Sequence, residues 1–322
     1  MEKVRYYKDE LNDDFAGNDI KTKKLPENYK YIKKNPVWKI AAFILYYIIA
    51  VPIVTVYNKL VHGERIKNRR VLKAYRKKGY YIYGNHTMVA ADAFTPGRVT
   101  FPKKANIIVS PDAVSIPVVS SLVEMLGGIP IATSLHGMKG FTEALKYYSE
   151  HGKVIMIYPE AHIWPYYTGV RPFKDVSFKY PAKDGRPVFC FTKVFKKRLL
   201  SRRPKVTVYV DGPFFPQEGF SVKQNQKYLR DCVYETMKKR VELNEVECVK
   251  YVKVAETYAE SNAEKPQTSE EKQDYKPELK PELTPVVSSE GNVGTVIGNE
   301  PRVEVYADSA TNRVDDTARA LA

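Results

Sequence analysis

Apolar residues fall along this chain in three distinct ways. From Ile40 to Tyr57 the sequence reads IAAFILYYIIAVPIVTVY, an uncharged run of roughly eighteen residues, close to the ~20 that a helix needs to cross a hydrocarbon core. Between residues 66 and 255, short β-rich runs alternate with longer amphipathic stretches. Tyr80–Tyr83 ends in Gly84, Asn106–Val109 in Ser-Pro, Val154–Tyr158 in Pro159, and Val206–Val210 in Asp-Gly-Pro. Each has the composition of a buried strand feeding a loop. Helical character is predicted over 115–125 and 139–150, and over 223–246, where Leu229, Val233, Met237 and Val241 recur every four residues. Strands alternating with helices predict an α/β fold: a mixed, mostly parallel sheet flanked by helices.

Outside these regions the pattern fades. Residues 1–35 are polar and without apolar periodicity, which predicts a loosely ordered leader with no cleaved signal peptide. Residues 256–322 shift to Glu, Lys, Pro, Ser, Thr and Gln, a composition that cannot bury enough apolar surface to offset the entropy of ordering; a disordered tail is predicted. The expected organisation is a polar leader over 1–35, a membrane anchor over 36–65, a catalytic domain over 66–255 and the tail over 256–322.

Trp38 and Tyr57 bracket the apolar run as interfacial aromatics would, and Pro52 kinks or ends a regular helix within it. Lys30, Lys33, Lys34 and Lys39 precede it, and Lys59, Arg65, Lys67, Arg69 and Arg70 follow it. With cations on both flanks the positive-inside bias gives no orientation, so a single span and a monotopic anchor on the cytoplasmic leaflet both fit, with a buried helix of a soluble domain as the third alternative.

Charge adds a partner class. A net charge of +15 over 322 residues points to a polyanion: an anionic bilayer, an acidic carrier or nucleic acid. Lys193, Lys196, Lys197, Arg198, Arg202, Arg203 and Lys205 form a dense basic stretch. No nucleic-acid-binding motif accompanies it, and the apolar run favours anionic membrane lipid. Cys190, Cys232 and Cys248 have neither disulfide nor zinc spacing, which suits a reducing compartment.

One local pattern carries candidate chemistry. Asn85-His86 follows a predicted strand, and Asp92 lies at the start of a helical stretch. An imidazole can take a proton from a hydroxyl near neutral pH, and a carboxylate on its other nitrogen fixes the tautomer. A hydrogen-bonded loop histidine with an aspartate helix cap would look the same. Glu160-Ala161-His162 offers two metal ligands but matches no zinc spacing.

Four blocks in order then sharpen the picture. Asn85-His86 with Asp92, Gly127-Gly128-Ile129-Pro130-Ile131, Tyr158-Pro159-Glu160 with Arg171-Pro172-Phe173-Lys174, and Asp211-Gly212-Pro213 together resemble the glycerophospholipid acyltransferase family, which contains the 1-acylglycerol-3-phosphate acyltransferases. The resemblance implies His86 as catalytic base with Asp92 as its partner. It implies acceptor contacts from Glu160, Arg171, Lys174 and Asn85, no metal and no cofactor. Acyl-coenzyme A or an acyl carrier protein would serve as co-substrate, and a lysophospholipid as acceptor. A non-catalytic lipid-binding scaffold with the same fold is the alternative.

Two departures bear on these expectations. Five residues rather than four separate His86 from Asp92, and Ala161, His162 and Ile163 stand where the family has Gly, Thr and Arg. With that arginine absent, Arg171 is the expected phosphate ligand because a guanidinium can bind phosphate oxygens bidentately. Lys174, Lys179, Arg98, Lys103 and Lys104 are further candidates.

Overall fold

The computed structural model describes residues 3–17, 23–115, 117–199, 201 and 203–254. The tail expected over 256–322 therefore lies outside the described residues. A seven-stranded sheet runs in the order β2-β8-β7-β3-β6-β4-β5, built from β2 (Arg65–Lys67), β3 (Tyr80–Gly84), β4 (Ala105–Val109), β5 (Gly128–Pro130), β6 (Val154–Ile157), β7 (Val188–Lys196) and β8 (Lys205–Phe214). All neighbouring pairs are parallel except β7 with β8. The expected mixed, mostly parallel sheet is thus present, with β3 at its centre.

Parallel strands covered on both faces read as continuous apolar runs. On one face Tyr81, Tyr83, Ile155, Ile157, Val188 and Cys190 meet Leu229, Val233 and Met237 of α7 (Val222–Val241) and Phe141 and Leu145 of α5 (Leu135–Glu150). On the other, Tyr80, Ile82, Met156, Phe189, Phe191 and Phe195 meet Leu72, Met88 and Val99. Ser134 caps α5 and Ser221 with Gln224 forms a capping box on α7, satisfying backbone donors at both starts.

The apolar run lies within one continuous helix, Pro36–Val61, of mean hydropathy 2.3 and long enough to cross a membrane. It comprises α1 (Pro36–Phe43), a π-helical segment (Ile44–Ala50) and α2 (Val51–Val61). Its buried positions, Ala42, Tyr46, Val54 and Asn58, are spaced by four or eight residues. In a pure α-helix such a stripe drifts by about 40° per step, about 160° from Ala42 to Asn58. A π-turn holds an extra residue and retards that drift by about 100°, so both ends keep facing the domain. Pro52 supplies a local cause, since it cannot donate to the preceding turn and its ring crowds the carbonyl there. The inner face packs on α4 (Pro117–Leu126) and α3 (Thr95–Thr100); Ile40, Ile44, Ile48, Ile53, Val56 and Leu60 face outward.

The described part of residues 1–35 differs from the expected loose leader. Lys3–Tyr7 forms β1, paired in parallel with β9 (Val249–Lys253). Phe15, Tyr7 and Tyr251 then close over the fully buried Trp164, with ring centroids 4.7–5.3 Å from it. The Trp164 indole donates to the Asp13 carbonyl at 2.7 Å. Sparse aromatics without periodicity give no helical or strand signal, yet each buries a large area against distant rings. Removing residues 1–17 should lower the Tm by several degrees and shift Trp164 emission to longer wavelength. Fluorescence in a Trp38→Phe background would read both, since Trp38 and Trp164 are the chain's two tryptophans; unchanged emission would contradict the packing.

Candidate active site

Strand β3 delivers His86 at its carboxyl end, where a parallel sheet opens into loops. The His86 Nδ1 lies 2.6 Å from Asp92 Oδ2. A carboxylate there holds a proton on Nδ1 and leaves Nε2 with the lone pair. The extra residue between them is absorbed locally: Asp92 sits in a 3₁₀ turn (Ala91–Ala93) ahead of α3. Its amide donates to the Met88 carbonyl at 3.0 Å, and the Met88 amide donates to Asp92 Oδ2 at 2.9 Å. Tyr158 stacks on the imidazole, with centroids 4.2 Å apart and planes at 12°, and its hydroxyl donates to the Asp92 carbonyl at 2.6 Å.

The loop after β6 braces this turn through its backbone. Trp164 N–H donates to the His86 carbonyl at 3.2 Å and Tyr166 N–H to the Thr87 carbonyl at 2.8 Å. Glu160 is buried, and its Oε2 accepts the His86 amide at 3.4 Å. Ala161, standing where the resemblance implies glycine, takes a left-handed backbone with φ of 64°, the conformation that glycine adopts without steric cost.

The expected acceptor contacts are redistributed. Arg171 is fully buried, and its guanidinium donates to the carbonyls of Glu160 (2.8 Å), His162 and Glu10 (3.3 Å), with Nε 3.7 Å from Glu160 Oε2. The expectation that it meets a phosphate is corrected, because its donors serve the chain's own backbone. Asn85 is likewise enclosed: its amide nitrogen donates to the Lys193 carbonyl at 3.1 Å and its oxygen accepts the Lys193 amide at 2.8 Å. Lys174 and Lys179 are exposed on the chain leading into α6 (Lys179–Asp184) and do not line the cavity. Lys103 and Lys104 are held by backbone carbonyls, and Arg98 by Glu64.

Lys193 differs most from the sequence-based expectation. It belongs to the basic stretch that favours anionic membrane lipid, yet it is 1% exposed, and its Nζ contacts Asp92 Oδ1. Alternation along β7 puts Lys193 on the face of Phe189, Phe191 and Phe195. A lone lysine among the apolar residues of Val188–Phe195 is the signal that could have found it.

His86 and Asp92 open onto a cavity of about 770 Å³ whose other walls are mainly apolar: Tyr46, Ala50, Val51 and Val54 of the long helix, and Ile107, Val123 and Leu126 opposite. Burial, then Lys193 and Arg171, hold the His86 imidazole well below its ordinary pKa; it is neutral and able to accept a proton. Burial also lifts Glu160 to about 7, with Arg171 opposing. A carboxyl raised from 4.5 to about 7 on folding contributes stability below pH 4.5 that is lost as pH rises toward 7. Glu160→Gln should therefore gain stability relative to the native chain between pH 5 and pH 8, by on the order of 3 kcal/mol. Thermal denaturation across that range would test it, and a constant offset would contradict it.

Residues 60–192 match the family model described as Acyltransferase. Among solved structures, the chain is similar to the 1-acyl-sn-glycerophosphate (LPA) acyltransferase PlsC from Thermotoga maritima, at 17% identity and a TM-score of 0.45, over 61% of this chain and 81% of that one. No curated protein matches the chain. Residues 60–192, which carry the first three of the four blocks and with them His86, Asp92, Glu160 and Arg171, thus match the acyltransferase family, and Asp211-Gly212-Pro213 lies beyond the match.

Proposed function

We propose that this protein is a membrane-bound O-acyltransferase of phospholipid biosynthesis. It would move a fatty acyl group from acyl-coenzyme A or an acyl carrier protein to a hydroxyl of a lysophospholipid such as 1-acylglycerol-3-phosphate. The observation that carries the reading is the 2.6 Å contact between His86 Nδ1 and Asp92 Oδ2 at the wall of an apolar cavity of about 770 Å³. Nε2 accepts the proton of the acceptor hydroxyl as its oxygen bonds to the thioester carbonyl carbon. Collapse of the tetrahedral adduct breaks the carbon–sulfur bond, and the imidazolium returns the proton to the departing thiolate. Asp92 steadies the imidazolium between the two transfers. The cavity suits an acyl chain, because its apolar walls exclude water from the methylenes.

An anchoring role for the helix Pro36–Val61 accounts for its outward row of isoleucines. Packing along its length against α3 and α4 supports a monotopic helix lying in the cytoplasmic leaflet of the cell membrane, with the active site facing the cytoplasm. Phosphate binding passes from Arg171 to Lys24: of the basic residues Lys24, Arg98, His86 and His162 on the cavity wall, Arg98 is committed to Glu64.

Detergent-purified protein supplied with lysophosphatidate or other lysolipids and either thioester should yield acylated product, followed by mass spectrometry. Folded His86→Ala should lose it. Absence of product from folded native protein with every pair would favour the lipid-binding scaffold. Lys24→Ala should raise KM for lysophosphatidate by about tenfold with little change in kcat, and an unchanged KM would remove Lys24 from the site.

A further inference from the structure

One carboxylate at this site is shared between two bases. Asp92 Oδ2 meets His86 Nδ1 at 2.6 Å, and Asp92 Oδ1 meets Lys193 Nζ. Lys193 is fixed at its root as well as its tip, because Asn85, the residue before His86, bonds both its amide and its carbonyl. The ammonium lies 5.6 Å from the ring centroids of Tyr158 and Phe191. Packing alone does not call for a lysine here, since a methionine would fill much the same space without the cost of desolvating a charge. Asp92 reaches its place through a 3₁₀ turn with an additional residue, so its direction is not set by the register of an α-helix.

We propose that Lys193 is a positioning residue for acyl transfer: anchored by Asn85, it orients the Asp92 carboxylate toward His86 and offsets its charge. The proposal rests on the acyltransferase reading of the site. His86, Asp92 and Lys193 then form a chain of three in which the central carboxylate is pinned from both sides. With the ammonium present, Asp92 orients the imidazole without drawing a second proton onto it.

Other charged and titratable groups surround the three. Tyr158 stacks on the imidazole, Glu160 lies beneath its amide with Arg171 behind, and His162 and Asp14 pair nearby. Burial draws the Lys193 pKa down to about 7 while Glu64 favours its charge, and His62 is disfavoured in its charged form by burial, then Arg203 and Lys193. Beyond the Asp92 carboxylate in direct contact with it, the charges acting on His86 are led by Lys193, which opposes protonation most strongly, followed by Arg171, whereas Asp14 favours it.

Removing the Lys193 charge therefore makes the imidazolium easier to form. The acid limb of the kcat/KM profile, where the base is lost to protonation, should move to higher pH in Lys193→Met by roughly one unit or more. Its kcat on the plateau should fall about 10- to 100-fold as the imidazole loses its alignment, with KM little changed. Lys193→Arg keeps the charge and should keep the limb in place despite a lower kcat. A lysine with only a structural role would lower the Tm in both variants and leave the limb where it is, which would overturn the proposal.

A second measurement needs no turnover and no substitution at Lys193. NMR titration of ¹⁵N-histidine-labelled full-length protein in detergent, with His86→Gln to assign the signal, should find His86 neutral with its proton on Nδ1 through pH 6. Titration at or above its ordinary value of 6.5 would also overturn the role of Lys193. Absence of acylated product from native protein would count against the reaction alone, because the titration reports on the three residues whatever substrate they serve.

Discussion

Ionised groups removed from water must find partners, and this requirement organises the carboxyl end of the sheet. Transferring a carboxylate or ammonium into the interior costs several kcal/mol even after relaxation. Asp92, Glu160, Arg171 and Lys193 are nonetheless all buried there, around the neutral His86. They are arranged as two linked sets, His86–Asp92–Lys193 and Glu160–Arg171, joined where the His86 amide meets Glu160. The first set joins the loop after β3 to β7 and the second lies within the loop after β6, so the adjacency of β3 to both β6 and β7 in the sheet is also what balances the charge.

That arrangement explains why the altered third block does not empty the site. Where the resemblance implies an arginine near the substrate, Ile163 stands instead, and its amide donates to Asp14 at 3.2 Å. The space is taken by the first residues of the chain, whose backbone accepts from Arg171 and from Trp164. The leader and the third block have to be understood together: the residues that depart from the family pattern are those on which the leader rests.

Much of the fold could be read along the chain. Buried strands with two covered faces announce themselves as unbroken runs such as Tyr80–Tyr83, and α7 shows its four-residue rhythm over Leu229, Val233 and Met237. The pair His86 and Asp92 was legible because both lie in one short turn. What could not be read depends on partners remote in sequence. Lys193 is 101 residues from Asp92 and 108 from Asn85, and a cluster of cations disguised it as surface. Arg171 was correctly placed near Glu160, but its burial could not be foreseen, because the carbonyl of Glu10 that helps enclose it lies 161 residues away. β1 and β9 are short, polar and paired only with each other, so neither has a pattern strong enough to stand out.

The helix Pro36–Val61 closes the cavity with Tyr46, Ala50, Val51 and Val54 while presenting isoleucines on its opposite side. On the membrane-bound reading, an acyl chain slipping past this wall would exchange one hydrocarbon environment for another and never meet bulk water. The reaction would then be governed by the mole fraction of substrate within the lipid film rather than by its amount per litre. Diluting the film with inert lipid would slow the enzyme even with the total substrate held constant, and diluting the surrounding water would not.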